Sequence, residues 1–205
     1  MIDDIDAFAS AYGKAFQPLD KLQRQGLAEL LPSLLLDPDI GDAPWREKWL
    51  AYMLATVKHE CADVWRPIAE IGFRGYFRKY ESNTALGQRL GNTQPGDGYL
   101  FRGRGYVQIT GRGNYLRLGT RLGTPLLLKP DAALLPATAY RILSVGMREG
   151  LFTGKRLIDY INARGCDYLG ARRIINGQDD AALIAGYAVK IEAALQAVKP
   201  TGKGG

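Results

Sequence analysis

Apolar positions recur at helical spacing near the start of the chain. Ile5, Phe8, Ala9, Tyr12 and Phe16 mark one face of a helix over 4–16. Leu22, Leu27, Leu30, Leu31, Leu34 and Leu35 mark a second over 20–36, which Pro32 is expected to bend or end. Asp37-Pro38-Asp39 and Gly41-Asp42-Ala43-Pro44 then read as a loop. Pro44 opens a third helix, Trp45 to about Asp63, since proline is tolerated in a first turn. Trp49, Leu50, Met53, Leu54 and Val57 form its apolar stripe. At 100° per residue Glu60 falls inside that stripe, while Lys58 and His59 point away from it.

Residues 64–112 break the pattern. Glycines from Gly72 to Gly111 punctuate the stretch. Alternation at Tyr99 and Phe101, then through Tyr106-Val107-Gln108-Ile109-Thr110, predicts a short hairpin or small sheet. A loop-rich region of this length inside a helical protein is commonly functional. Helical patterning resumes over 113–122, 137–149, 154–163, 168–175 and 179–198, with Gly150, Gly165 and Gly177 where C-caps are expected. No internal repeat is present. The fold class this predicts is mainly α, with a small glycine-rich β lobe flanking a cleft. Residues 1–43 are expected to be a helical extension packing on a domain over 44–198, and 199–205 a flexible polar tail.

Composition adds bounds. The 205 residues suit one domain, and 46% hydrophobic against 23% charged residues is ordinary for a globular protein. Lys and Arg number 27 against 21 Asp and Glu, and the net charge of +6 favours anionic partners. The single histidine, His59, and the distant Cys61 and Cys166 lack metal-ligand spacing, so neither metal nor cofactor is expected. The acidic start, Met1-Ile2-Asp3-Asp4, lacks the positive region of a secretory signal. The apolar run Leu27–Leu36 is short and interrupted by Glu29, Pro32 and Ser33, so no stable membrane insertion is expected. Synthesis in the cytoplasm and a monomeric state are the corresponding expectations.

Glu60 is the first candidate for chemistry. Desolvation of an unpaired carboxylate on a buried stripe favours the neutral acid, the form that protonates a leaving-group oxygen. Glycoside hydrolysis needs a second carboxylate, and Asp63, Glu70, Glu81 and Asp97 are all candidates. The run from Phe101 through Tyr115 adds glycines that allow close approach of a ligand. It also carries the polar groups of Gln108, Thr110 and Asn114 and the faces of Tyr106 and Tyr115, a mixture suited to sugars. Alternation places Gln108 and Thr110 on the side opposite Val107 and Ile109. Arginine, glycine and aromatics together can also bind single-stranded nucleic acid, but this run lies mid-domain between apolar residues, and no nucleic acid is expected. No Gly-x-Ser-x-Gly elbow or phosphate loop occurs.

Three ordered elements resemble a known family. Lys58-His59-Glu60 at the end of an aromatic-rich helix resembles the His-Glu signature of family 19 chitinases and related phage endolysins. Gly103 through Thr110, followed by Asn114-Tyr115, resembles that family's second signature, and Arg173-Ile174-Ile175-Asn176-Gly177 its late element. The middle segment Leu90–Gly98 is more similar to endolysins, as is the scarcity of cysteine. After His-Glu the family's glycine-rich continuation is replaced by Cys61-Ala62-Asp63-Val64-Trp65. The resemblance implies a lysozyme-like fold. It also implies inverting hydrolysis of β-1,4 bonds in peptidoglycan by an endolysin-type glycosidase, or in chitin by a chitinase. Glu60 would be the general acid and Glu81 the general base, with Glu70 as its substitute, and Thr110 would hold the attacking water. Gln108, Asn114, Asn176, Tyr106 and His59 would meet sugar. An enzyme of this kind would reach the cell wall after release by a holin or an export system.

Overall fold

A computed structural model describes residues 3–198, with side chains from Ile5 onward; the expected tail over 199–205 lies outside the described residues. Helix α1 (Asp3–Ala15) and α2 (Lys21–Leu35) open the chain. The side chain of Asp20 accepts from the Gln23 N–H at 2.8 Å, and the Gln23 side chain accepts from the Asp20 N–H at 2.9 Å. That reciprocal capping box is what starts α2. Pro32 does not end the helix, which runs on to Leu35. Proline so near the C-terminus forfeits one backbone bond, while burial of Leu27, Leu30, Leu31 and Leu34 holds the turn.

Helix α3 (Arg46–Glu60) is the axis of the molecule. Every residue from Leu50 through Lys58 is buried, so the single apolar stripe read from the sequence becomes all-round burial, the mark of a central helix. Lys58 is buried too. Its Nζ donates to the Tyr12 hydroxyl and to Asp63 Oδ2, each at 2.6 Å, and lies over the rings of Tyr12, Phe16 and Tyr187.

The irregular middle contains β1 (Ile68–Ala69), a 3-10 helix over Arg74–Tyr80, α4 (Ala85–Arg89), α5 (Asp97–Leu100) and β2 (Arg104–Gly105). Strands β1 and β2 pair antiparallel, Ile68 opposite Gly105 and Ala69 opposite Arg104. A bridge from Arg104 to Ile109 closes a small hairpin. The expected strand at Tyr99 and Phe101 is instead a helical turn. Asp97 causes this: its carboxylate accepts from the Thr93 and Gln94 N–H groups and takes Arg112 in a two-pronged pair. Val107 and Ile109 are buried, whereas Gln108 and Thr110 are half-buried.

Helix α6 (Arg112–Leu122), a 3-10 turn over Pro130–Leu134 and α7 (Pro136–Glu149) follow, with α7 ending on Gly150 in the left-handed region. The helix expected over 154–163 is reduced to α8 (Leu157–Tyr160). The chain then forms β3 (Ile161–Asn162) and β4 (Gly165–Cys166), paired antiparallel. Asn162 Oδ1 accepts from the Arg164 N–H at 2.8 Å, a side-chain turn that competes successfully with helix continuation. Gly165 therefore lies in a strand rather than at a cap. The helix expected over 168–175 is a 3-10 segment, Gly170–Ile174, before α9 (Ala181–Ala197). Helix α9 packs along α3 and α1 along α9, while α2 packs on α7. All contribute to one core that includes Phe8, Leu30, Met53, Tyr115, Leu143 and Ile191.

Candidate active site

Glu60 closes α3, and the backbone reverses immediately after it. Ala62, Asp63 and Trp65 take φ values of 47°, 65° and 59°, conformations costly for residues with side chains. The reversal is held from outside. Tyr12 and Lys58 bind the Asp63 carboxylate, and Gln23 Nε2 donates to the Asp63 carbonyl at 3.1 Å. Gly26 lets α2 approach: a Cβ there would lie 2.7 Å from the Trp65 carbonyl oxygen. Next to Glu60, the buried Cys61 sulfur rests on the Gly105 and Tyr106 carbonyls, and burial pushes its thiol up to about 12, out of reactive range.

The Glu60 carboxylate is not unpaired, as its place on the stripe suggested. Arg172, 4% exposed, donates from Nη1 to Glu60 Oε1 at 2.6 Å, and its Nε donates to the Asp179 carbonyl at 3.0 Å. The guanidinium fixes one oxygen, and among the described residues Oε2 has no hydrogen bond. His59 Nε2 lies 3.5 Å from Asp180 Oδ2 on the same rim. Asn176 is exposed there, its backbone N–H bonded to the Arg172 carbonyl. Sequence reading missed Arg172. It stands just before the Ile174-Ile175-Asn176-Gly177 run, and nothing in its spacing ties it to a residue 112 positions earlier.

Strand pairing brings a second carboxylate, Glu70, against Gly103. Glu70 follows β1, and its N–H donates to the Gly103 carbonyl at 2.8 Å. In return the Gly103 N–H donates to Glu70 Oε2 at 3.2 Å, and the Tyr80 hydroxyl to Oε1 at 3.0 Å. Lys79 Nζ stands 3.6 Å from the same oxygen. Gly103 is the centre of this group. A Cβ there would lie 2.8 Å from Gln108 Oε1 and 3.3 Å from both Glu70 Oε2 and Thr110 Oγ1. Three polar side chains thus converge over a position only glycine leaves open.

Glu81 is not brought to that group. It caps the 3-10 helix, and its Oε2 accepts from the Gly96 N–H at 2.8 Å. Gln108 sits at φ 53°, and its Nε2 serves the Ile68 and Gly105 carbonyls, leaving Oε1 to face the open space. The Thr110 hydroxyl donates to the Gln108 carbonyl at 3.0 Å and keeps its acceptor capacity. Asn114 Nδ2 bonds the Thr110 carbonyl at 2.8 Å, and its Oδ1 accepts from Arg117, so it steadies the site from behind. Tyr106 does not line a cleft: it is 1% exposed, and its buried hydroxyl has no hydrogen-bond partner among the described residues. Tyr115 is buried as well, against Phe101 and bonded to Arg104. Ring burial in the core outweighed the surface role that the aromatic and glycine pattern suggested.

Around the site the loops are stitched by buried polar groups. Asn92 bonds the Tyr80 carbonyl and accepts from the Arg112 N–H. Burial alone raises the Asp97 carboxyl, but the Arg112 guanidinium and the Gln94 and Thr93 N–H groups more than offset it and hold it below the usual range.

Two solved structures share this arrangement of elements. Chitinase C from Streptomyces griseus matches with a TM-score of 0.62 at 19% identity, over 93% of this chain and 75% of that one. The fold is chitinase-like. A mutant of chitinase C matches with a TM-score of 0.57, again at 19% identity, over 93% of this chain and 91% of the other. No family model and no curated protein sequence matches the chain. The lysozyme-like class expected from the sequence is therefore observed as a fold: mostly helical, with two small antiparallel sheets.

Proposed function

We propose that the protein is a glycoside hydrolase that cuts β-1,4 bonds in a polymer of N-acetylated amino sugars by inverting acid–base catalysis. The observation that carries this is the convergence of Glu70, Thr110 and Gln108 over Gly103, in the hairpin whose Gly105 and Tyr106 carbonyls touch Cys61, the residue after the Arg172-held Glu60. The chitinase-like fold supports it. Glu60 acts as general acid. Its free Oε2 delivers a proton to the glycosidic oxygen as the bond from that oxygen to the anomeric carbon breaks. Glu70 acts as general base. It takes a proton from a water that attacks the anomeric carbon from the opposite face, and the Thr110 oxygen accepts that water's second proton in a hydrogen bond. Glu70 is chosen over Glu81 because only Glu70 shares the Gly103 space with Thr110. Inversion requires the two carboxyls to stand roughly 6.5–9.5 Å apart, room for one water.

Peptidoglycan is the first substrate, on the endolysin-like segment Leu90–Gly98 and a net charge of +6 suited to an anionic wall. Chitin is the second reading, favoured by the chitinases that share the fold. No cofactor is required by either. The test is release of new reducing ends from purified peptidoglycan and from chitin, with Glu60→Gln, Glu70→Gln and Glu81→Gln beside wild type. Loss of about 10³-fold or more in the first two, with Glu81→Gln active, is expected. Full activity of Glu70→Gln would remove it as the base, and no product from folded wild type on either polymer would sink the hydrolase reading.

A further inference from the structure

The face beside Glu70 carries arginines with no acid to meet them. Tyr99, at the end of α5, has the Arg102 guanidinium 4.4 Å and the Arg74 guanidinium 5.0 Å from its ring centroid. The ring is set by an edge contact with buried Phe77, centroids 5.4 Å apart at 76°. Arg102 Nη1 also donates to the Tyr99 carbonyl at 3.0 Å. Two cations are thus held on one ring. Their chain neighbours Arg104 and Arg112 are each paired with a carboxylate, Asp131 and Asp97. Among the described residues neither Arg74 nor Arg102 forms an ion pair.

Both arginines are tied to the Glu70 side of the site by short pieces of backbone. Arg102 precedes Gly103, whose N–H is on Glu70 Oε2. Arg74 begins the 3-10 helix that ends in Tyr80, whose hydroxyl is on Glu70 Oε1. A guanidinium stacked on a ring keeps its N–H edge free, is weakly hydrated, and matches a carboxylate with two parallel bonds. A neutral glycan offers such a pair only hydroxyl and acetamide oxygens, acceptors without a charge to match. A glycan bearing carboxylates offers a complementary charge.

We propose that Arg74 and Arg102, stacked on Tyr99, form a carboxylate-reading subsite that selects an anionic N-acetylated glycan over a neutral one. The proposal rests on the glycosidase reading of the adjoining site. The carboxylate can sit on an ether-linked acid of the sugar itself or on an attached peptide, and the chemistry at the arginines is the same.

The experiment measures binding with Glu60→Gln, so that substrate persists, in parallel with reducing-end release by the Glu60-containing protein. The probes are chitin, intact peptidoglycan, and peptidoglycan stripped of its peptides. In the Arg74→Gln/Arg102→Gln variant the ratio of peptidoglycan to chitin affinity is expected to fall about tenfold, as for two partly exposed charge-assisted pairs. The dependence of peptidoglycan binding on salt is expected to become shallower. Stripping the peptides leaves the ratio intact if the sugar's own carboxylate is read, and lowers it to the double variant's value if the peptide's is. Arg74→Gln alone alters only an exposed side chain and is expected to give about a threefold fall, which covers the case in which the double variant misfolds. An unchanged ratio in a folded variant, or a parent protein that binds chitin as tightly as peptidoglycan, overturns the proposal. If the ratio moves with the arginines but no reducing ends appear, the hydrolase reading fails and the subsite stands. If reducing ends appear and the ratio does not move, the subsite alone fails.

Discussion

Gly103→Ala perturbs the centre of the site with a single methyl group. The backbone there is outside the left-handed region, so the penalty is steric and not conformational. The added Cβ would meet Gln108 Oε1 at 2.8 Å, which must withdraw by roughly half an ångström to reach ordinary contact. Gln108 cannot swing freely, because its amide nitrogen is bonded to the Ile68 carbonyl at 2.8 Å and the Gly105 carbonyl at 3.0 Å. Overpacking of this kind costs about 1–3 kcal/mol, and the stiffer unfolded chain returns about 0.4–1. The expected net loss is about 1–2 kcal/mol, or a melting temperature lower by about 2–8 °C for a chain of this size. Glu70 Oε2 and Thr110 Oγ1, each at 3.3 Å from the new methyl, must shift by a few tenths of an ångström. Misplacement by 1 Å costs on the order of 100-fold in rate, so about tenfold is expected here. The assay is kcat/KM for reducing-end release beside a thermal melt. A variant that melts lower yet keeps kcat/KM within about twofold of wild type would show that the groups over Gly103 pack the loop without acting on substrate.

Three further outcomes are expected. Arg172→Met leaves the part-buried Glu60 carboxylate without its partner; about 3 kcal/mol of stability is expected to be lost, read by chemical denaturation, with activity falling as well. The depressed Asp97 contributes stability that is fully present above the ordinary carboxylate pKa of about 3.9. That contribution is lost as pH falls through the lower, folded value, so an acid-limb decline in melting temperature should be shallower in Asp97→Asn, which itself starts less stable. Tyr106→Phe removes a buried hydroxyl that has no hydrogen-bond partner among the described residues and should leave the melting temperature equal or higher; a lower melting temperature together with lost activity would restore Tyr106 to the sugar surface.

Much of the architecture was legible because local rules and packing agree. Pro44, the apolar spacing after it and Glu60 near its end located α3 within a few residues of Arg46–Glu60. Gly150, expected as a C-cap, ends α7, and the helix expected over 137–149 starts one residue earlier, at Pro136. Where local signals were contested, tertiary contacts decided. The 154–163 pattern suited a helix, yet the side-chain turn at Asn162 and pairing with Gly165–Cys166 made a hairpin. Aromatics read as sugar platforms, Tyr106 and Tyr115, went into the core, because a large ring gains more from burial than from a solvent-facing wall.

The sequence alone determined the helix that carries Glu60 near its end, the glycine-rich run from Gly103 to Gly113 and the helical return to α9, since each depends on spacing within a dozen or so residues. It could not determine which carboxylate faces Thr110. That depended on the pairing of Ile68 with Gly105, which carries Glu70 to Gly103 and leaves Glu81 capping Gly96. Nor could it show that Arg172 would meet Glu60 across 112 residues, or that Arg74 and Arg102 would share the ring of Tyr99. Spacing reports which residues share a face of one element. Which faces meet is decided by the burial of the whole core, and the polar groups at its rim take the partners that packing leaves within reach.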